Sequence, residues 1–162
     1  MTLLLRVPVG SVLTGFAVPT SDIDWIEVYD KHTSQHHKKD GLDVTRWDLS
    51  TFTRILNDGG HNALEACFAP DHLYDVDLLR DWRHSFHADP YKVWWRYKST
   101  IKGSSRSIAS KPLKAQIFAE RLMFDRQACM IGEGRYDPTA FRRTTRGEDL
   151  YQARLANSKE AL

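Results

Sequence analysis

Apolar residues open the chain as a short aliphatic run, Leu3, Leu4, Leu5, Val7 and Val9, which predicts a buried strand over 3–9 ended by Gly10-Ser11. Residues 12–21 contain Gly15 and Pro19 and read as loop and turn. From Asp22 the pattern alternates through Ile23, Trp25 and Tyr29, predicting a second strand. The stretch 30–41 is polar, with Lys31, His32, His36, His37, Lys38 and Lys39, and reads as an exposed, mobile loop. A third strand is expected over 42–47. Asp48 then stands where a helix N-cap belongs, and Leu49, Phe52, Ile55 and Leu56 follow at helical spacing until Gly59-Gly60 stop the pattern.

Beyond this point the periodicity is mainly helical. A short helix is expected over 61–68, before Pro70. Leu73, Val76, Leu79, Trp82 and Phe86 mark another, and Pro90 opens a third that carries Val93, Trp94, Tyr97 and Ile101. Residues 103–110, with four serines, read as a flexible break or a phosphate-facing loop. Pro112 starts a long helix through Ile131, closed by Gly132 and Gly134. From Arg142 the chain is charged and poor in apolar residues, the pattern of a tail that packs loosely or frays. Strands first and helices after give an α+β arrangement, a small sheet with a helical C-terminal half. The organisation expected is a core over 1–70, a helical extension packed on it over 71–141, and a charged tail over 142–162.

Composition sharpens this picture only modestly. With 162 residues and 41% hydrophobic content, the chain can build one real core. A net charge of +2 is too small to imply a nucleic-acid partner by itself. The N-terminal apolar run is too short for a signal peptide or a membrane span, so a cytoplasmic protein without membrane contact is expected. Cys67 and Cys129 sit in apolar helical patterns without CxxC spacing, which reads as two reduced core thiols and no cysteine-built zinc site.

The chemistry concentrates between Gly10 and Asp43. Asp22 and Asp24 are one residue apart, and on a strand such positions point to the same face. Two converging carboxylates repel unless a cation lies between them, and oxygen ligands suit Mg²⁺ or Mn²⁺. Gly10 lets backbone N–H groups approach a phosphate, and the Ser11 hydroxyl can add a hydrogen bond. A two-metal site, with ions roughly 3.5–4 Å apart, needs a further carboxylate. Asp43, opening the next strand, is the best candidate, both as a ligand and as acceptor of a nucleophile's proton.

This stretch, Gly10-Ser11, Gly15, then Asp22-x-Asp24, resembles the signature of polymerase-beta-superfamily nucleotidyltransferases. Leu42-Asp43-Val44, Leu49-x-x-Phe52 and Asn62-Ala63-Leu64-Glu65-x-x-Phe68-Ala69-Pro70 extend the resemblance toward the RNA-repair-pathway DNA polymerase beta family. Ala119-Glu120-Arg121-Leu122 and Gly134-Arg135-Tyr136-Asp137-Pro138 add a weaker C-terminal match. The resemblance implies a small mixed sheet flanked by helices. It also implies transfer of a nucleoside monophosphate from an NTP to a hydroxyl, with release of pyrophosphate. Gly10 and Ser11 would hold the triphosphate, and Asp22, Asp24 and Asp43 would bind Mg²⁺. The chain departs from the pattern at Val12, where relatives carry Arg, at Thr14, where an aromatic is frequent, and at Thr45, where some carry an acid. Substrate identity is affected by these departures more than catalysis.

Further candidates surround this motif. Lys98, Lys102 and Arg106 share a helical spacing, as a solvated basic face or as cations for triphosphate or RNA phosphates. Arg121 needs a partner, which could be Glu120, Glu65 or a phosphate. Glu65 reads as a structural brace rather than a catalytic acid, His32/His36/His37 as a solvated loop rather than a metal site, and the helix of Trp94, Trp95 and Tyr97 as core on one side, where one exposed ring could stack on a base. The acceptor stays open among an RNA end or tRNA, a protein and a small molecule, as does the oligomeric state. The competing readings are a nucleotide- or RNA-binding module without turnover and a toxin–antitoxin transferase component.

Overall fold

The computed structural model describes residues 1–31, 34–104 and 111–160. Strand β1 (Leu3–Val9) runs antiparallel to β2 (Ile23–Tyr29), which runs parallel to β4 (Leu42–Asp48). β3 (Ser34–Lys39) pairs antiparallel with the outer edge of β4, and the short β5 (Val76–Asp77) with that of β1. Among the described residues this gives a five-stranded mixed sheet of order β3-β4-β2-β1-β5. The α+β class and the helical C-terminal half are as the sequence indicated.

Alternation along the strands sorts the two faces. Leu5, Val7 and Val9 of β1 stand level with Val28, Ile26 and Asp24 of β2. All but Asp24, at the end of the row, form the apolar face, closed by α2 (Leu49–Asn57) and α3 (His61–Phe68) and continuous with α5 (Pro90–Ser104) and α6 (Pro112–Ile131). The Asp48 carboxylate caps α2 by accepting from the Thr51 amide at 2.7 Å. The other face is held by polar contacts. Glu27 accepts from Arg6 at 3.1 Å and from Arg46 at 2.8 Å, and the Arg6 guanidinium lies over the Trp25 ring. Cys67 and Cys129 are free and buried. No helix among the described residues is long and apolar enough to cross a membrane.

Four expectations need correction. Residues 30–41 are not all loop: 34–39 form β3, which turns into β4 through Asp40 and Gly41, both at positive φ. That is the two-residue hairpin chemistry of Asp-Gly, whereas the polar composition reflects an exposed edge strand blunted by charge. Residues 10–14 form a short helix, α1 (Gly10–Thr14), because the Ser11 carbonyl accepts from the amides of Gly15, Phe16 and Ala17. The helix expected across Leu73 to Phe86 is broken: a 3₁₀ turn (Asp71–Leu73) and β5 precede α4 (Arg80–Ser85). The buried Arg83 binds the carboxylates of Asp71 and Asp77 and the Cys67 carbonyl, and Asp75 pairs with Arg6, so this segment is tied to the sheet instead of winding as one helix. Finally, the charged tail forms α7 (Thr145–Glu160), whose Leu150 is buried against Phe16, Ile117 and Phe141. β5 brings 76–77 back to the sheet, and one apolar core runs from Leu5 to Tyr136.

Candidate active site

The strand register builds the acidic part of the site. Asp24 and Asp43 are direct partners in the parallel β2–β4 pair, so their side chains emerge from the same face at the same level. Asp22 precedes β2 by one residue, and the Ile23 amide beside it donates to the Gly41 carbonyl at 2.8 Å, which anchors this end of β2 to the hairpin turn. Gly10 ends β1 with φ 64°, and a β-carbon there would lie 2.6 Å from Asp24 Oδ2. Only glycine leaves that carboxylate its position.

Asp22, Asp24, Asp43, Gly10, Ser11 and Arg121 all line one pocket of about 360 Å³, a volume that suits a small ligand. Lys38, Lys114, Arg154 and His61 are among the other lining residues, with Phe16 and Phe118 as apolar wall. The sequence-predicted cations Lys98 and Lys102 are not: they sit on exposed turns of α5, where the Lys98 ammonium lies 4.9 Å from the centre of the Trp95 ring. Arg106 lies outside the described residues, as does His32. Lys114 could have been found from sequence, since Lys114, Ile117, Phe118 and Arg121 repeat at three and four residues on one helix face. Arg154 carries no comparable signal. Folding of α7 brings it in, where it donates to the Phe16 carbonyl at 2.8 Å and reaches the Ser21 hydroxyl at 3.4 Å.

Electrostatics follow from this crowding. Burial, then the charge of Asp43, with smaller contributions from Asp22 and Glu65, holds the Asp24 carboxyl above its ordinary range, against the pull of Lys114. The Lys114 ammonium is in turn pushed down, by burial first and then by Lys111 and Arg154. Burial keeps the His61 imidazole on the neutral side, its ring edge-on to Phe118. Carboxylates that repel one another thus stand beside cations that repel one another, so a bound cation would relieve the first set and a bound anion the second.

The Gly10 amide, expected to face a phosphate, donates instead to Glu65 Oε1 at 3.1 Å. Glu65 is fully buried, and Arg121 Nη1 approaches the same oxygen at 3.6 Å and Asp125 Oδ2 at 3.4 Å. Glu65 is thus the brace the sequence suggested, tying α3 to the turn after β1. Arg121 has two buried acids as partners while still lining the pocket.

Three carboxylates form an oxygen-only donor set, fit for a hard divalent cation. Among the described residues no three Asp, Glu, His or Cys side chains already stand clustered to hold one. Asp43 is hydrogen-bonded to His36 Nε2, and Asp22 lies 3.4 Å from the Lys38 ammonium. A cation would draw both from these partners. Comparisons with protein-family models, with curated proteins and with solved structures give no match.

Proposed function

We propose that this protein is a divalent-metal-dependent nucleotidyltransferase, which moves a nucleoside monophosphate from an NTP to a hydroxyl acceptor and releases pyrophosphate. The observation that carries the reading is the in-register pair Asp24 and Asp43, with Asp22, in one pocket with Gly10, Ser11, Lys114, Arg121 and Arg154. Asp22, Asp24 and Asp43 would hold Mg²⁺ or Mn²⁺. When bound, the cation polarises the phosphoryl oxygens and draws charge from the leaving group. Lys114 and Arg154 offset the charge of the triphosphate, and Phe16 and Phe118 supply an apolar wall. The acceptor hydroxyl oxygen forms a bond to the α-phosphorus as the bond to the α–β bridging oxygen breaks. Pyrophosphate leaves with that electron pair, and the Asp43 carboxylate takes the hydroxyl proton. An RNA end, a tRNA or a protein hydroxyl satisfies this chemistry, and the NTP supply assigns it to the cytoplasm.

The contacts of His36 with Asp43 and Lys38 with Asp22 favour one second reading, a module that binds nucleotide without turnover. Incubation with Mg²⁺, each α-labelled NTP, and bulk RNA, cell extract or no acceptor separates the two. Label transfer and pyrophosphate release are expected from the native protein and not from Asp24→Asn. The variant should keep its fold and melt no lower than the native protein without metal, because one of the mutually repelling acids is removed. Equal transfer by the variant would sink the proposal. Mg²⁺-dependent NTP binding with no transfer to any acceptor would leave the binding module.

A further inference from the structure

α5 has a composition that its role in the core does not explain. Its fifteen residues include Lys92, Arg96, Lys98 and Lys102 and no acidic residue. Val93 and Tyr97 are buried, and the Tyr97 hydroxyl is hydrogen-bonded to that of Tyr136, so the inward face is complete. The outward face presents two large rings one helical turn apart, Tyr91 at 68% and Trp95 at 62% exposure. Tyr91, Lys92, Trp95, Arg96 and Ser99 line a shallow groove, with Asp58 as the one acid at its edge. None of the four cations makes an ion pair among the described residues; Lys98 instead rests against the Trp95 ring. Like charges at four-residue spacing, Lys92 with Arg96 and Lys98 with Lys102, weaken an isolated helix. An anionic partner that runs along the helix relieves that repulsion.

We infer that the outer face of α5 binds single-stranded polynucleotide, with Tyr91 and Trp95 stacking on bases and Lys92, Arg96, Lys98 and Lys102 facing the phosphates. Exposed rings interleaved with unpaired cations are the elements of a sequence-tolerant single-strand surface. A membrane surface or a second copy of this chain fits less well. Against four positive charges the groove offers a single acid, Asp58, too little to pair with a second copy, and the apolar area is limited to two rings. The face is also joined to the candidate active site. The turn before α3 packs against α5, since a β-carbon on Gly59 would meet Val93 Cα at 3.1 Å. Asp58 of that turn borders the groove, and His61, at the start of α3, lines the catalytic pocket. Residues 58–61 thus border the groove at one end and the candidate pocket at the other. The surface itself stands apart from the transferase reading and is testable without NTP.

The test is fluorescence anisotropy with labelled single-stranded RNA and DNA oligonucleotides of about fifteen nucleotides, their duplexes, and anionic phospholipid vesicles as competitor. Single strands should bind more tightly than duplexes. Trp95→Ala should weaken binding by about 10-fold, in keeping with the loss of one stacked base. The double variant Lys92→Glu/Arg96→Glu should reduce the slope of log affinity against log salt by about 0.7 per cation removed. These side chains are at the surface, and unchanged circular-dichroism melts would show that each variant folds. Asp24→Asn should bind the oligonucleotide like the native protein. If it does, and no transfer is ever found, the transferase reading fails while the surface stands. Absence of single-strand binding, or equal binding by Trp95→Ala and the charge-reversed variant, would overturn the inference. So would binding to vesicles alone, or dimerisation abolished by the same substitutions.

Discussion

At Gly10 a single hydrogen atom decides where a carboxylate stands. A methyl group in its place meets Asp24 Oδ2 at 2.6 Å, and the φ of 64° costs an alanine ~1–2 kcal/mol. Gly10→Ala is expected to lower stability by at least that amount in urea titration and to lose nucleotide transfer, because Asp24 must turn away. Retained transfer would show that the carboxylate can shift. The acidic residues and Gly10-Ser11 were legible in the sequence because they are local, set by offsets along one strand and turn. That Lys98 and Lys102 lie away from the pocket was not legible, because helical spacing reveals which residues share a face, not which way the face turns. Arg154, 130 residues beyond Asp24 in the chain, was illegible for the same reason: only tertiary packing brings it to Ser21.

Among the elements, composition misdirected where geometry was decisive. β3 has no apolar alternation, so its lysines and histidines read as loop, yet the Asp40-Gly41 pair that follows was a hairpin signal of its own. The segment around β5 keeps helical spacing but is tied down through its own carboxylates, Asp71 and Asp77 to Arg83 and Asp75 to Arg6. α7 had too few apolar positions to read as packed. Leu150 suffices because Phe16 and Ile117, from distant parts of the chain, close around it together with Phe141. Leu150→Ala is therefore expected to cost ~2–5 kcal/mol of unfolding free energy. It should also weaken NTP binding, since Arg154 sits one turn further along the same helix. Destabilisation without any change in nucleotide affinity would show that α7 holds the fold but not the pocket.

For the molecule as a whole, stability against pH depends on a buried cluster behind the site. One guanidinium, Arg121, faces two buried carboxylates, Glu65 and Asp125, and both acids keep an oxygen without a hydrogen-bond partner. Burial pushes the Asp125 carboxyl up to about 8, with Glu65 reinforcing and Arg121 opposing. The folded state then holds a proton that the unfolded chain has released, so stability falls as pH rises between about 4 and 8. Asp125→Asn removes this dependence. Its melting temperature should gain on that of the native protein across the window, and a constant gap would mean that the aspartate is ionised throughout.

The pairing of Asp24 with Asp43 sets the two strands as a ruler. Their separation follows the ~4.8 Å step of a hydrogen-bonded ladder, not the reach of flexible side chains. A slip of one residue would turn Asp43 to the opposite face, so intermediate spacings do not exist. The length of the β3–β4 hairpin has no part in that measure. Extra residues ahead of Gly41, whose carbonyl still has to accept from the Ile23 amide, would extend the rim of the molecule and leave the gauge unaltered, whereas a single insertion between Asp24 and Tyr29 would shift the register on which it depends. The chain is thus free to vary at its edge and fixed at its reading line.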